Sequence, residues 1–218
     1  VGRAWDIMQE NNYGTLPVAN DDGTLYGVLS RDHVAGYHMS LITESYLQEV
    51  PLFNVLSVLE GTILNEAGET TDTISGNVVI ALPQSQDTLL WQDPNSIVIC
   101  GHQPYMIRRA LEMNVNCLVL CETELTEELR NLPTKTCIIT TPFDAYRASR
   151  LIFQSTPIGR ICRTQDITTF HMDDRVEYAK EESLKHRESG YPILDENDQI
   201  VGMMNRYHLL RPRHKRVV

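Results

Sequence analysis

The sequence predicts a mixed α/β and α+β chain: two copies of a small βαββα-type unit packed together, with an α/β domain inserted between them. Two observations carry this. First, Gly14-Thr15-Leu16-Pro17-Val18 followed by Leu25-Tyr26-Gly27-Val28-Leu29-Ser30-Arg31 returns 175 residues later as Ser189-Gly190-Tyr191-Pro192-Ile193 followed by Ile200-Val201-Gly202-Met203-Met204-Asn205-Arg206. A repeat split by a long unrelated segment indicates two structural copies that complete one another. Second, the residues between the copies alternate short apolar runs with amphipathic ones, the pattern of parallel strands joined by helical crossovers.

Each element of the first copy has a local cause. Val1, Ala4 and Met8 share one face at helical spacing, and Gly14 ends that helix. Leu16 to Ala19 is a strand, Asn20-Asp21-Asp22-Gly23 a tight turn, and Leu25 to Leu29 the returning strand. Ser30 caps a helix that runs through Met39. The second copy repeats the order, with a helix over 174–187, strands over 191–194 and 199–204, a turn at Asp195 to Asp198, and Asn205 capping a helix from Arg206. A further segment, Ile158 to Asp173, leads into the second copy, and its counterpart in the first falls before Val1, so the sequence is expected to be a fragment cut on its N-terminal side. Within the insert, strands are expected at 61–65, 72–82, 96–101, 117–121 and 136–140, and helices at 103–114, 124–131 and 142–154.

Composition narrows the function classes. A hydrophobic fraction of 42% is that of a globular protein, and no apolar run approaches the roughly 20 residues of a membrane span. The net charge of −10 opposes binding to a phosphate backbone, so neither nucleic acid nor membrane is an expected partner. Against that background, Arg206 to Arg216 with Arg211, Arg213 and Lys215 is a local basic run, either an anion site or a solvated linker. The five cysteines form no Cys-x-x-Cys pair; Cys100, Cys117, Cys121 and Cys137 sit in or beside apolar runs and read as structural thiols of a reducing cytosol. No nucleophile–base pair, glycine-rich phosphate loop, paired-acid motif or metal cluster stands out, so no catalytic centre is expected within the chain. The Asp21-Asp22, Asp173-Asp174 and Asp195 to Asp198 acids have ordinary turn roles.

The chemistry therefore rests on the repeated Gly-x-x-[Ser/Asn]-Arg ends. A capping side chain and free amides at a helix start present donors, and arginine adds a planar fork for phosphate oxygens. Helix capping alone explains Ser30 or Asn205 singly; Arg31 and Arg206 at the same offset point to a ligand site. Tyr13-Gly14-Thr15 and Ser189-Gly190-Tyr191 precede the first strands, where glycine admits a ligand to the backbone and tyrosine either covers a base or serves as a core aromatic. Ile99-Cys100-Gly101-His102-Gln103-Pro104 reads as a structural strand–turn–helix start.

The hairpins around Pro17 to Ser30 and Pro192 to Asn205 resemble a pair of CBS domains, which together build a Bateman module. The insert resembles a DRTGG domain through Ile97 to Gly101, Ala110 to Val115, Cys117 to Leu120 and Ile138 to Tyr146, although Gly101-His102-Gln103 stands where the namesake motif would be. The CBS–DRTGG–CBS order is similar to the regulatory insert of family II inorganic pyrophosphatases, and Lys215-Arg216-Val217-Val218 looks like the start of the strand leading to a DHH-type catalytic core. The resemblance implies a first CBS domain over 1–48, the DRTGG-like domain over 49–157, the second CBS domain over 158–212 and a link over 213–218.

It also implies adenine nucleotides as regulatory ligands: AMP and ADP inhibitory, ATP or diadenosine polyphosphate activating. The ligand would be held by Arg206, Asn205, Ser189, Gly190, Tyr191, Pro192 and Thr168, with Arg31, Ser30, Tyr13 and Thr15 of the first copy. This region would hold no metal, and Mn2+ or Co2+ would belong to the attached catalytic part of a cytoplasmic enzyme. The acid usual three residues after the cap is missing in both copies, where His33 and His208 stand. Apolar residues around Val34-Tyr37 and Leu209-Leu210 lack an evident partner within the chain and predict a two-fold homodimer. The competing expectation is a structural dimerisation module whose nucleotide pockets have degenerated.

Overall fold

The computed structural model describes residues 1–64, 72–81, 93–101, 103–123, 134–186 and 188–210. The helix expected over 124–131, His102 and the basic run from Arg211 lie outside the described residues. The chain divides into two compact units, one of Arg3–His38 with Ile158–Val218 and one of Val1–Gly2 with Met39–Pro157.

The repeat is visible in the backbone of the first unit. Helix α1 (Gly2–Glu10) buries Ala4 and Met8. It is followed by strands β1 (Thr15–Ala19) and β2 (Leu25–Ser30) and helix α2 (Arg31–Ser40). In the second copy, β9 (Phe170–His171) is followed by α6 (Val176–Lys185), β10 (Gly190–Leu194), β11 (Ile200–Asn205) and α7 (Arg206–Leu210). Both hairpins are antiparallel, with Thr15 opposite Ser30 in one and Gly190 opposite Asn205 in the other. Even the register shift recurs at the same place, between Val18 and Ala19 and between Ile193 and Leu194. A bulge kept in both copies fixes the same twist and aims the same residues at the following helix. The copies differ at one edge, where β9 adds a parallel third strand to β10, pairing Phe170 with Ile193, while β1 and β2 form a two-stranded sheet.

The segment leading into the second copy crosses the first. Val28 and Arg163 exchange two backbone hydrogen bonds, each of 2.9 Å. Gly27 makes this approach possible, because a Cβ there would lie 2.8 Å from the Arg163 carbonyl oxygen and 2.9 Å from Cys162 Sγ. A Cβ at the matching Gly202 would meet no atom within 4 Å among the described residues, its chain neighbours aside. Gly27→Ala should therefore destabilise the protein by about 1–3 kcal/mol through overpacking against backbone, and Gly202→Ala by clearly less. Equal melting temperatures for the two variants would contradict this assignment.

Among the described residues the second unit is built on a six-stranded sheet in the order β3 (Tyr46–Pro51), β5 (Thr73–Ile80), β6 (Ile97–Cys100), β7 (Cys117–Cys121), β8 (Cys137–Thr141), β4 (Thr62–Ile63). The four central strands are parallel, as the alternating pattern predicts. Both edge strands are antiparallel, which it does not predict. Covered on both faces, the central strands alternate between two cores. Ile97, Ile99, Val119 and Ile139 belong to one core with α3 (Leu52–Leu59) and α5 (Ala145–Leu151). Val98, Leu118, Leu120 and Ile138 belong to the other with α4 (Pro104–Glu112). Asp144 caps α5 by accepting from the Arg147 amide at 2.9 Å.

Three of the five thiols are buried and two half-buried. Burial pushes Cys100 and Cys121 up to about 12. Cys117 and Cys137 are partners in adjacent strands. The hydrogen bond between their thiols lowers Cys137 and, with burial, raises Cys117. At pH 8 a thiol with pKa near 12 is thiolate in only about one molecule in ten thousand, and thiolate is the reactive form. An aromatic disulfide reagent at that pH should modify Cys137 first and leave Cys100 and Cys121 unmodified while the protein is folded. Early labelling of either, read by peptide mass, would contradict these environments.

Candidate functional site

The two hairpins meet across the pseudo-symmetry of the repeat. Thr15 and Ser189 share a hydrogen bond between their hydroxyls. A Cβ on Gly190 would lie 3.5 Å from Thr15 Cβ, an ordinary contact. At the turn ends Gln199 donates to the Asp22 carbonyl at 3.1 Å, and the Ile200 amide to the Gly23 carbonyl at 3.1 Å. Thr15, Ser189, Gly190 and the starts of α2 and α7 are thereby gathered on one side of this unit. Pro192 is buried within β10, and Thr168 is half-buried two residues before β9.

The caps form as expected but in different ways. Ser30 Oγ accepts from the His33 amide at 3.2 Å, while the Ser30 amide donates to His33 Nδ1 at 3.2 Å. This is the reciprocal geometry of a capping box, with histidine in the place usually held by Glu or Gln. His33 thus has a helix-capping task at the position where the resemblance leads one to expect an acid. In the second copy Asn205 Oδ1 accepts from the Tyr207 amide at 3.0 Å.

The arginines part company. Arg31 turns back onto the end of α1: its Nε donates to the Tyr13 carbonyl at 2.9 Å, and Nη2 to the Met8 carbonyl at 3.3 Å and to Asn12 Oδ1 at 3.1 Å. It adds a donor to the Met8 carbonyl, which also accepts the Tyr13 amide at 2.9 Å, and ties the segment after α1 to the start of α2. Arg206 does not do this: its Nε is buried without a hydrogen-bond partner among the described residues.

The tyrosines are also unlike. Tyr13 is 49% exposed, whereas Tyr191 is fully buried, its ring centroid 5.3 Å from that of Phe170. Base covering by the Tyr191 ring is therefore corrected: the side chain is a core aromatic, and its hydroxyl donates to the carbonyls of Ser183, at 3.2 Å, and His186. Burial raises the Tyr191 phenol above its ordinary value, and the nearby Arg206 charge acts in the opposite direction. Repeat comparison missed one pair, Arg163 and Glu188, whose side chains meet at 2.7 Å beside the hairpins. Arg163 has no counterpart within the first copy, so the repeat could not single it out.

Residues 1–40 and 158–214 match the CBS domain family, and residues 54–155 the DRTGG domain family. This chain belongs to the CBS–DRTGG architecture. A crystal structure of the CBS and DRTGG domains of the regulatory region of Clostridium perfringens pyrophosphatase, complexed with its activator diadenosine tetraphosphate, superposes with a TM-score of 0.80 at 29% identity. It covers 94% of this chain and 91% of that one. The cobalt-dependent inorganic pyrophosphatase of Clostridium perfringens is 30% identical over 220 residues, 99% of this chain and 40% of the relative. The chain thus spans less than half the length of that enzyme. Two CBS matches on either side of a DRTGG match, over nearly the whole chain, are what this chain shares with that regulatory region.

Proposed function

We propose that this chain is the regulatory region of an inorganic pyrophosphatase and binds adenine nucleotides at its CBS pair. One observation carries the reading: in a unit where Arg31 donates from Nε and Nη2 to the end of α1, Arg206 keeps a buried guanidinium nitrogen, Nε, without a partner among the described residues, beside the hairpin ends that Ser189, Gly190 and Asn205 form. A buried donor left unsatisfied is costly, and an anionic ligand removes that cost. Phosphate bound there would face the Arg206 fork, and the base and ribose would lie toward Thr168 and the backbone of Gly190 to Pro192. The relative's activator, diadenosine tetraphosphate, fits this chemistry.

In this reading AMP or ADP inhibits, and ATP or a diadenosine polyphosphate activates, an attached DHH-type core in a cytoplasmic homodimer. Any Mn2+ or Co2+ would be held by that core; among the described residues no group of three or more His, Cys, Asp or Glu could hold a metal ion. The region's own contribution is to bind two ligand classes unequally and so bias two arrangements of the assembly. Scattering curves of the AMP and diadenosine tetraphosphate complexes should differ in subunit spacing, and superimposable curves would sink this mechanism.

A second reading, a dimerisation module with degenerate pockets, is favoured by the first copy, where Arg31 and His33 both serve the fold. Light scattering at micromolar concentration should give a dimer under either reading; a monomer with and without nucleotide would remove both.

A further inference from the structure

Met8 and Ser183 occupy the same place in the two copies, as do Leu16 and Tyr191, and Arg31 and Arg206. The Met8 carbonyl near the end of the first helix, which also accepts the Tyr13 amide at 2.9 Å, and its counterpart at Ser183 each take a side-chain donor, but a different one. Met8 O takes Arg31 Nη2 at 3.3 Å, and Ser183 O takes the Tyr191 hydroxyl at 3.2 Å. The first copy has Leu16 where a tyrosine would be needed, and leucine has no donor. Where the hydroxyl is present the arginine is not required at the helix end, and Arg206 Nε has no partner among the described residues.

We propose that Tyr191 is a positioning residue: by capping α6 it releases Arg206 for a ligand anion, while Arg31 is a structural clamp, leaving one anion-binding arginine of the repeated pair per chain. This rests on the nucleotide reading above and adds to it which copy binds phosphate and why. The exchange is chemically reasonable because a phenol and a guanidinium both donate to carbonyls, but only the guanidinium carries the charge that a phosphate selects. Removing the hydroxyl would take a donor from the Ser183 and His186 carbonyls, the latter keeping the Glu188 amide at 2.9 Å. Arg206 would then turn onto them, as Arg31 turns onto Met8 and Tyr13.

The test compares AMP with adenosine by calorimetry, since their ratio isolates the phosphate contribution and a general loss of stability does not change it. The wild type should prefer AMP by about tenfold or more, the scale of a charge-assisted hydrogen bond. Arg206→Ala should abolish the preference, Tyr191→Phe should remove most of it while retaining adenosine binding, and Arg31→Ala should keep it while lowering the melting temperature. A Tyr191→Phe variant with the wild-type ratio overturns the proposal. Should that variant fail to fold, Leu16→Tyr in the Arg31→Ala background decides: the new hydroxyl should restore the lost melting temperature by capping Met8, and no recovery overturns the exchange. A wild type that binds neither ligand refutes the nucleotide reading instead, and the Leu16→Tyr arm still tests the exchange.

Discussion

Arg206→Ala weakens AMP binding by about 1.5–3 kcal/mol, roughly ten- to hundredfold, with little change in melting temperature. The magnitude follows from a charge-assisted hydrogen bond made in a partly water-excluded place. Arg206 Nε has no partner to leave behind among the described residues. The same substitution at Arg31 removes three donated bonds to the end of α1 and so acts on stability. Calorimetric titration of both variants checks the split, and an unchanged AMP affinity for Arg206→Ala removes that residue from the site.

Ile139→Ala should cost about 2–5 kcal/mol, the largest effect on stability expected of a single change in the DRTGG domain. Ile139 lies on β8 between β7 and the short edge strand β4, pairing with Val119 and Ile63, and is wholly buried. Its side chain also closes on Gly61, where a Cβ would come within 2.9 Å of Ile139 Cγ2. Truncation therefore leaves a cavity against a sheet fixed by hydrogen bonds on both sides, with little means of collapse. The control is Phe53→Ala on α3, whose side chain is 79% exposed and whose loss should change stability by only about 0.5 kcal/mol. Chemical denaturation gives both numbers; an Ile139→Ala variant within about 1 kcal/mol of wild type would refute the packing described.

The repeat was legible because it is written in residues whose roles are local. The Pro-to-Gly spacing, the Asp-rich turns and the Ser or Asn caps fix hairpin and helix start together, and the structure returns them in matching register down to the bulge. The central strands of the insert were legible for the same reason, being short apolar runs of strand length. Strand β3 was not, because its buried residues Leu47 and Val50 are three apart: a register shift and a positive φ of 38° at Glu49 break the two-residue alternation. Helix α3 was missed because Leu52 to Leu59 is apolar at nearly every position, so no periodic stripe separates helix from buried strand.

At the candidate site, sequence showed that two arginines share an offset but not that they do different work. That difference depends on what sits across the helix end, a leucine in one copy and a tyrosine in the other, and spacing alone carries no sign of it. The buried state of Tyr191 and the pairing of Arg163 with Glu188 are likewise tertiary facts.

Nucleotide binding by the CBS pair is the claim on which the rest depends, and titration of this chain with AMP, ATP and diadenosine tetraphosphate in a calorimeter measures it directly. Saturable heats for at least one of the three, abolished or strongly weakened by Arg206→Ala, are the predicted result. Flat isotherms for all three ligands with folded, dimeric protein would contradict it and leave the structural dimerisation module in its place.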